Sequence, residues 1–227
     1  MCNNHKDAPS EAGQVYLFDF DGTLVDSMPT YVAAVLRVLD DQNIKYDKKT
    51  LIKTITPLGF GGTARYYVEQ FGLTLSLEEI VAQMHKNALK GYLYSVPAKQ
   101  NVIKTLRALR DRGDDLSVLT ASPHATLDPC LRRLGIYDLF SNVWSCEDFA
   151  TTKADVNIYL MAAEKLGVAV GEMIFLDDNY NADLTAKRAG AKVVGVYDES
   201  SAEYESEIRG ICDAYIRDFY ELIDLKL

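Results

Sequence analysis

Two aspartates stand two residues apart in "YLFDFDGTLVDS", Tyr16 to Ser27, where an apolar run ends. On a strand, residues i and i+2 share a face, so the spacing predicts that Asp19 and Asp21 point the same way. Like charges this close repel, and one is pushed toward its neutral form unless a cation intervenes. A second acidic pair, Asp177-Asp178, ends the apolar run "MIFLDD". Between them in sequence, "LSVLTAS" ends in Thr120-Ala121-Ser122, and Lys153 precedes a predicted helix in "TTKADVNIY".

These residue types together suit one chemistry. A hard divalent cation relieves the crowded carboxylates, and Mg²⁺ prefers a few carboxylates, some waters and a substrate phosphate. A carboxylate can attack phosphorus and form an aspartyl-phosphate. A second carboxyl group can protonate the leaving alcohol and then deprotonate the attacking water. Asp19 suits the first role and Asp21 the second. Thr120, and the free N–H groups where a loop enters a helix, can bind phosphoryl oxygens. Lys153 can balance the phosphoryl charge and orient Asp19. Gly22, Thr23, Ala121 and Ser122 are the neighbouring candidates for substrate contact. Each residue alone has a plainer reading: a turn pair for Asp177-Asp178, helix caps for Thr120 and Ser122, a solvated surface lysine for Lys153. Their shared placement at strand ends favours the chemical reading.

Such placement needs a parallel sheet. "QVYLFDF", "LSVLTAS", "MIFLDD" and "KVVGVYD" read as buried strands, and "NVWSCED" and "DAYIRD" as weaker ones. Helical patterns lie between them, with Val102, Leu106 and Leu109 on one face and Val156, Tyr159, Leu160, Ala163 and Leu166 on another. Gly113, Gly135, Gly167 and Gly190 fall near helix ends. Strands alternating with helices imply a doubly wound, Rossmann-like parallel sheet, whose ligands bind outside the carboxyl ends of the strands.

Residues 28–95 break the alternation, being helical throughout. Val32, Val35, Leu36 and Leu39 space as one face. "KKTLIKTI", "TARYYVEQF" and "SLEEIVAQMHKNALKGYL" read as further helices, with a loop at "TPLGFGG", which ends at Gly62. The expected division is an α/β core of residues 1–27 and 96–227 carrying an inserted helical cap at 28–95. Arg65 in the cap could read a second anionic group on the substrate.

The chain of 227 residues is 48% apolar, enough for a sizeable core, and its net charge is −9. That acidity argues against nucleic acid or an anionic membrane as partner. Cys2, Cys130, Cys146 and Cys212 are far apart and read as reduced thiols rather than a zinc site. The polar N-terminus lacks a secretory core and reads as a flexible tail, and no run suits a membrane helix. A cytoplasmic monomer or homodimer acting on a small phosphorylated metabolite is expected.

The motifs resemble those of the haloacid dehalogenase (HAD) superfamily, in the subgroup with a helical cap that includes phosphoglycolate-phosphatase-like and β-phosphoglucomutase-like enzymes. "DFDGTLVDS" is similar to its first motif, "VLTAS" to its second, Lys153 to its third and "FLDDNYNAD" to its acidic fourth. The resemblance covers nearly everything after the first dozen residues. It implies Asp19 as nucleophile and Asp21 as acid/base. It also implies Mg²⁺ on the Asp19 carboxylate, the Asp21 backbone carbonyl and Asp178, with Asp177 close by. Asp183 would cap the next helix or orient the loop. Dehalogenases of the superfamily lack the second aspartate, which Asp21 supplies here. Mutases of the subgroup place a histidine where this chain has Tyr31, which favours hydrolysis over phosphomutase activity. A non-enzymatic regulator on the same fold would be expected to lose these residues, and all persist.

Overall fold

The structure is a computed structural model, and it describes residues 13–55 and 58–227. The N-terminal stretch read as a tail, Cys2 with it, and Thr56-Pro57 lie outside those residues. Six strands form one sheet: β1 (Val15–Phe18), β2 (Asp115–Thr120), β3 (Asn142–Ser145), β4 (Met173–Asp177), β5 (Lys192–Val196) and β6 (Ala214–Ile216). All neighbours are parallel, in the order β3-β2-β1-β4-β5-β6. The order reverses beside β1, which makes the ends of β1 and β4 the crevice of a doubly wound sheet.

The alternation of side chains decides the layers. Tyr16 and Phe18 of β1 join Leu116, Val118, Ile174, Leu176 and Val194 on one face. Helices α5 (Val102–Asp111) and α6 (His124–Arg133) cover that face through Leu106, Leu109, Leu127 and Leu131. Leu17, Leu119, Phe175 and Val193 point the other way, onto α7 (Val156–Leu166) and α8 (Tyr180–Ala189) through Ile158, Tyr159, Ala182 and Ala186. Both faces are therefore dry, and the central strands read as continuous apolar runs.

Between β1 and β2 come α1 (Met28–Asp41), α2 (Lys48–Ile55), α3 (Gly59–Phe71) and α4 (Leu77–Tyr94). They bury a core of their own, built on Val35, Leu39, Ile55, Tyr67, Ile80 and Met84. The start of α4 is legible in "SLEE": Ser76 accepts from the Glu79 amide, and the Glu79 carboxylate accepts from the Ser76 amide. The two segments that enter and leave this block pair with each other. The Asp26 amide donates to the Pro97 carbonyl, and the Lys99 amide to the Leu24 carbonyl. Among the described residues, no helix is long and apolar enough to cross a membrane.

Several boundaries differ from the sequence reading. The expected loop at "TPLGFGG" is shorter, because α3 starts at Gly59, ahead of the helix read at "TARYYVEQF", while α2 ends at Ile55 as "KKTLIKTI" does. β3 stops at Ser145, whose side chain caps a 3₁₀ turn over Cys146–Phe149. β1 stops at Phe18, before either aspartate. Two further helices, α9 (Glu205–Ile211) and α10 (Glu221–Asp224), close the C-terminal part. Cys130, Cys146 and Cys212 are free thiols.

Candidate active site

Each strand end delivers one part of the site. Asp19 follows β1 directly, and its amide continues the ladder by donating to the Leu176 carbonyl at 2.8 Å. Asp177 ends β4 and Asp178 follows it. The three carboxylates are almost wholly buried, Asp177 at 0%, Asp19 at 4% and Asp178 at 9% exposure. One oxygen from each lies within 4.8 Å of the others. At such distances each like-charge pair costs roughly 3–4 kcal/mol with an effective dielectric near 20.

One cation answers them from the protein. Lys153 Nζ lies 2.6 Å from Asp177 Oδ2 and 2.6 Å from Asp19 Oδ1. Only the Asp177 contact has hydrogen-bond geometry; Asp19 Oδ1 receives no directed bond. Burial alone would lower the ammonium pKa, but Asp177 and Asp19 hold it well above the usual lysine range. Lys153 is itself fixed from behind. The Tyr159 hydroxyl lies 3.1 Å from the Lys153 and Ala182 carbonyls, and its ring meets Phe175 edge to face.

One lysine does not neutralise three acids. Burial pushes the Asp19 carboxyl up to about 7 against the pull of Lys153, with Asp177 adding to the rise. Burial, then Asp177 and Asp19, holds Asp178 well above the carboxylate range. A cluster of hard oxygen donors with an unbonded buried oxygen and an excess of negative charge fits a divalent cation such as Mg²⁺. Asp177 is the least available of the three as a ligand. Its Oδ2 is held by Lys153 and its Oδ1 accepts from the Asn179 amide at 2.8 Å.

The turn after β1 is built against Asp178. Gly22 has φ +75°, and a Cβ there would lie 2.6 Å from both Asp178 carboxylate oxygens. Only glycine allows that approach. The buried Thr23 hydroxyl donates to Asp178 Oδ1 at 3.2 Å. β1 ends before Asp19 and Asp21, so the strand face expected to carry both is absent, and their partners differ. Asp21 accepts from the Tyr92 hydroxyl at 2.6 Å and from the Ser122 hydroxyl at 2.5 Å.

The carboxylates nevertheless open onto one cavity of about 350 Å³, lined by Asp19, Asp21, Lys153, Asp177 and Asp178 with small or amide side chains including Ala121, Ala154 and Asn181. Thr120, buried at the end of β2, accepts from the Ser122 amide at 3.1 Å. Of the expected substrate contacts, Ala121 lines the cavity, whereas the Thr23 and Ser122 hydroxyls hold Asp178 and Asp21. Arg65 is exposed on α3 and does not line the cavity. Asp183 is not a cap. Asn179 Oδ1 accepts from the Asn181 and Ala182 amides, and Asp183 is fully buried on α8, where the Cys212 thiol lies 3.6 Å from Oδ2.

Sequence reading missed Tyr92 and Lys99. Lys99 Nζ donates to the Gly22 carbonyl at 2.6 Å, the Tyr197 carbonyl at 2.5 Å and Asp198 Oδ2 at 3.0 Å. No motif marks either residue. Both lie where the helical block returns to the sheet, and only the pairing of Pro97–Lys99 with Leu24–Asp26 brings them to the first turn.

Comparison with known proteins finds relatives that match most of the chain. A phosphoglycolate phosphatase of Colwellia psychrerythraea is 29% identical over 194 residues, covering 81% of this chain and 84% of its own. A pyrophosphatase, PpaX, of Bacillus velezensis is 26% identical over 181 residues, covering 79% and 81%. The crystal structure of the HAD hydrolase YfnB of Bacillus subtilis, bound to magnesium, superposes with a TM-score of 0.79 at 17% identity, over 95% of this chain and 100% of that one. Residues 16–196 match the model of the haloacid dehalogenase-like hydrolases, and the chain belongs to that family.

Proposed function

We propose that this chain is a Mg²⁺-dependent phosphatase that hydrolyses a small phosphorylated metabolite through an aspartyl-phosphate on Asp19. The observation that carries the reading is the cluster of Asp19, Asp177 and Asp178 around Lys153, facing the same cavity as Asp21. The names of the two sequence relatives support a phosphate substrate and differ in which one. The magnesium bound to the Bacillus subtilis fold relative supports the choice of ion.

Asp19 and Asp178 would hold the ion by their carboxylates and Asp21 by its backbone carbonyl, with Asp177 behind them. When bound, the ion offsets negative charge on the carboxylates and on the phosphoryl oxygens. It also favours the ionised form of Asp19 that attack requires, against the burial that raises its pKa. An Asp19 oxygen attacks phosphorus while the ester P–O bond breaks, and Asp21 gives its proton to the departing alcohol. Asp21 then takes a proton from the water that attacks the aspartyl-phosphate. Phosphate leaves and the Asp19 carboxylate is restored. Lys153 keeps its charge throughout and neutralises the phosphoryl oxygens beside Asp19. The Thr120 hydroxyl and the backbone at Gly22, Thr23, Ala121 and Ser122 are the remaining phosphoryl donors in this reading.

Residues 28–95 act in this proposal as a cap that admits the ester and excludes bulk water. Arg65 has no part in it, since it stands outside the cavity. The test is phosphate release from a set of tens of esters. Asp19→Asn should abolish turnover with the fold intact, and EDTA should stop the wild type until Mg²⁺ is returned. Turnover by Asp19→Asn would exclude the covalent route, and indifference to EDTA would exclude the ion.

A further inference from the structure

Asp21 is restrained at both ends of its carboxylate by donors from two separate elements. The Tyr92 hydroxyl, on the last turn of α4, donates to Oδ1 at 2.6 Å. The Ser122 hydroxyl, two residues past β2, donates to Oδ2 at 2.5 Å. A carboxylate on its own rotates broadly about its last torsion. Two donors on opposite oxygens fix its plane.

Tyr92 is in turn held at three points. Its ring stacks on the buried Phe20, centroids 6.0 Å apart at 29°. Its carbonyl accepts from Arg133 Nε of α6 at 3.2 Å, and the same guanidinium also bonds the Val96 carbonyl. Its hydroxyl is spent on Asp21 Oδ1. Ser122 is similarly placed by its amide, which donates to Thr120 Oγ1.

We propose that Tyr92 is a positioning residue for the proton-transfer step: with Ser122, it fixes the plane of the Asp21 carboxylate so that its proton reaches the leaving oxygen. The inference rests on the phosphatase reading above and names a residue that the motifs do not contain. General acid catalysis requires the acid within hydrogen-bond reach of the leaving atom, so the orientation of Asp21 enters the rate directly. Tyr92 itself transfers no proton. The proton given to the alkoxide comes from Asp21, and the proton Asp21 regains comes from the attacking water.

The leaving group supplies the test. An alkyl phosphate departs as a strongly basic alkoxide and depends on the acid, whereas p-nitrophenyl phosphate departs as a stable anion and depends on it little. Tyr92→Phe keeps the ring on Phe20 and removes only the donor. Its kcat/KM on an alkyl phosphate, which counts the steps through departure of the alcohol and not the later attack of water, should fall by roughly tenfold or more, the value of one hydrogen bond to a charged group. On p-nitrophenyl phosphate the loss in kcat/KM should stay within about threefold. Ser122→Ala should show the same split, and thermal unfolding of each variant checks the fold. If Tyr92→Phe fails to fold, Ser122→Ala carries the same expectation. An equal loss in kcat/KM on both esters, or no loss on the alkyl ester, overturns the role of Tyr92 and leaves the phosphatase reading intact. A wild type that hydrolyses neither these esters nor the wider set overturns the phosphatase reading, and this proposal with it.

Discussion

Lys153 and Asp177 are joined by a directed hydrogen bond of 2.6 Å between two side chains that are almost wholly withdrawn from solvent. Asp19 lies at the same distance from the ammonium without such a bond. The lysine is therefore anchored on one acid and only paired electrostatically with the other.

Lys153→Met should lower kcat for phosphate esters by on the order of 10²-fold or more, the scale for removing one preorganised charge. Breaking a buried pair costs about 3–5 kcal/mol, so the metal-free variant should also unfold earlier. Mg²⁺ should recover part of that stability by taking over the Asp19 and Asp178 charges. Phosphate release and thermal unfolding, each with Mg²⁺ and with EDTA, measure both effects. A variant keeping half the wild-type kcat would show that the phosphoryl group does not lie beside Lys153.

Lys99 should matter through the turn it holds. Its three protons are all used, on two carbonyls and Asp198, and its side chain is 18% exposed. Lys99→Met frees the Gly22 carbonyl and leaves Asp198 without a counter-ion, its Oδ1 still bonded by Ser200. The expected loss is about 1.5–3 kcal/mol, or several degrees in Tm for a chain of this size. Since Gly22 abuts Asp178, the affinity for Mg²⁺ should fall as well, read by titrating activity with the ion. Unchanged Tm and unchanged Mg²⁺ dependence would show that the turn holds without Lys99.

The legible parts of this protein were those with a local signature. The parallel sheet was readable because its central strands are buried on both faces and so appear as apolar runs. The acids were readable because charge at the end of such a run is conspicuous. Lys153 could be singled out only through its place among the motifs. What escaped was set by packing between distant segments. Asp19 and Asp21 lie past the end of the strand at Phe18 and meet different partners, Lys153 for the one and Tyr92 with Ser122 for the other. Ser122 and Thr23 were read as substrate donors, and their hydroxyls instead restrain acids contributed by other elements. Asp183 was read as a cap or as a residue orienting the loop, from its nearness to a helix start, and the cap is Asn179 one turn earlier. Tyr92 and Lys99 carry no pattern at all, because their partners lie more than seventy residues away.

His124 offers a pH test away from the acidic cluster. Its ring nitrogens lie 2.8 Å from Asp128 and 2.8 Å from Asp148, so the imidazolium ties the start of α6 to the 3₁₀ turn after β3. The bonds to Asp128 and then Asp148 raise its pKa above the ordinary 6.5. A raised pKa in the folded state means stability fully present below pH 6.5 and lost as pH rises through the folded value. Burial works against Asp148, but His124 and the Ser145 amide hold its pKa below the ordinary 3.8. Its share is present above 3.8 and lost as pH falls through the folded value. The tie is thus at full strength between the two ordinary values, from 3.8 to 6.5. His124→Asn should lower Tm most in that window, and the gap from wild type should narrow steadily on the alkaline side. Both side chains are partly exposed, so the difference should be small and should shrink in high salt. A gap that stays constant from acid to alkaline pH would mean that His124 contributes through packing and not through its charge.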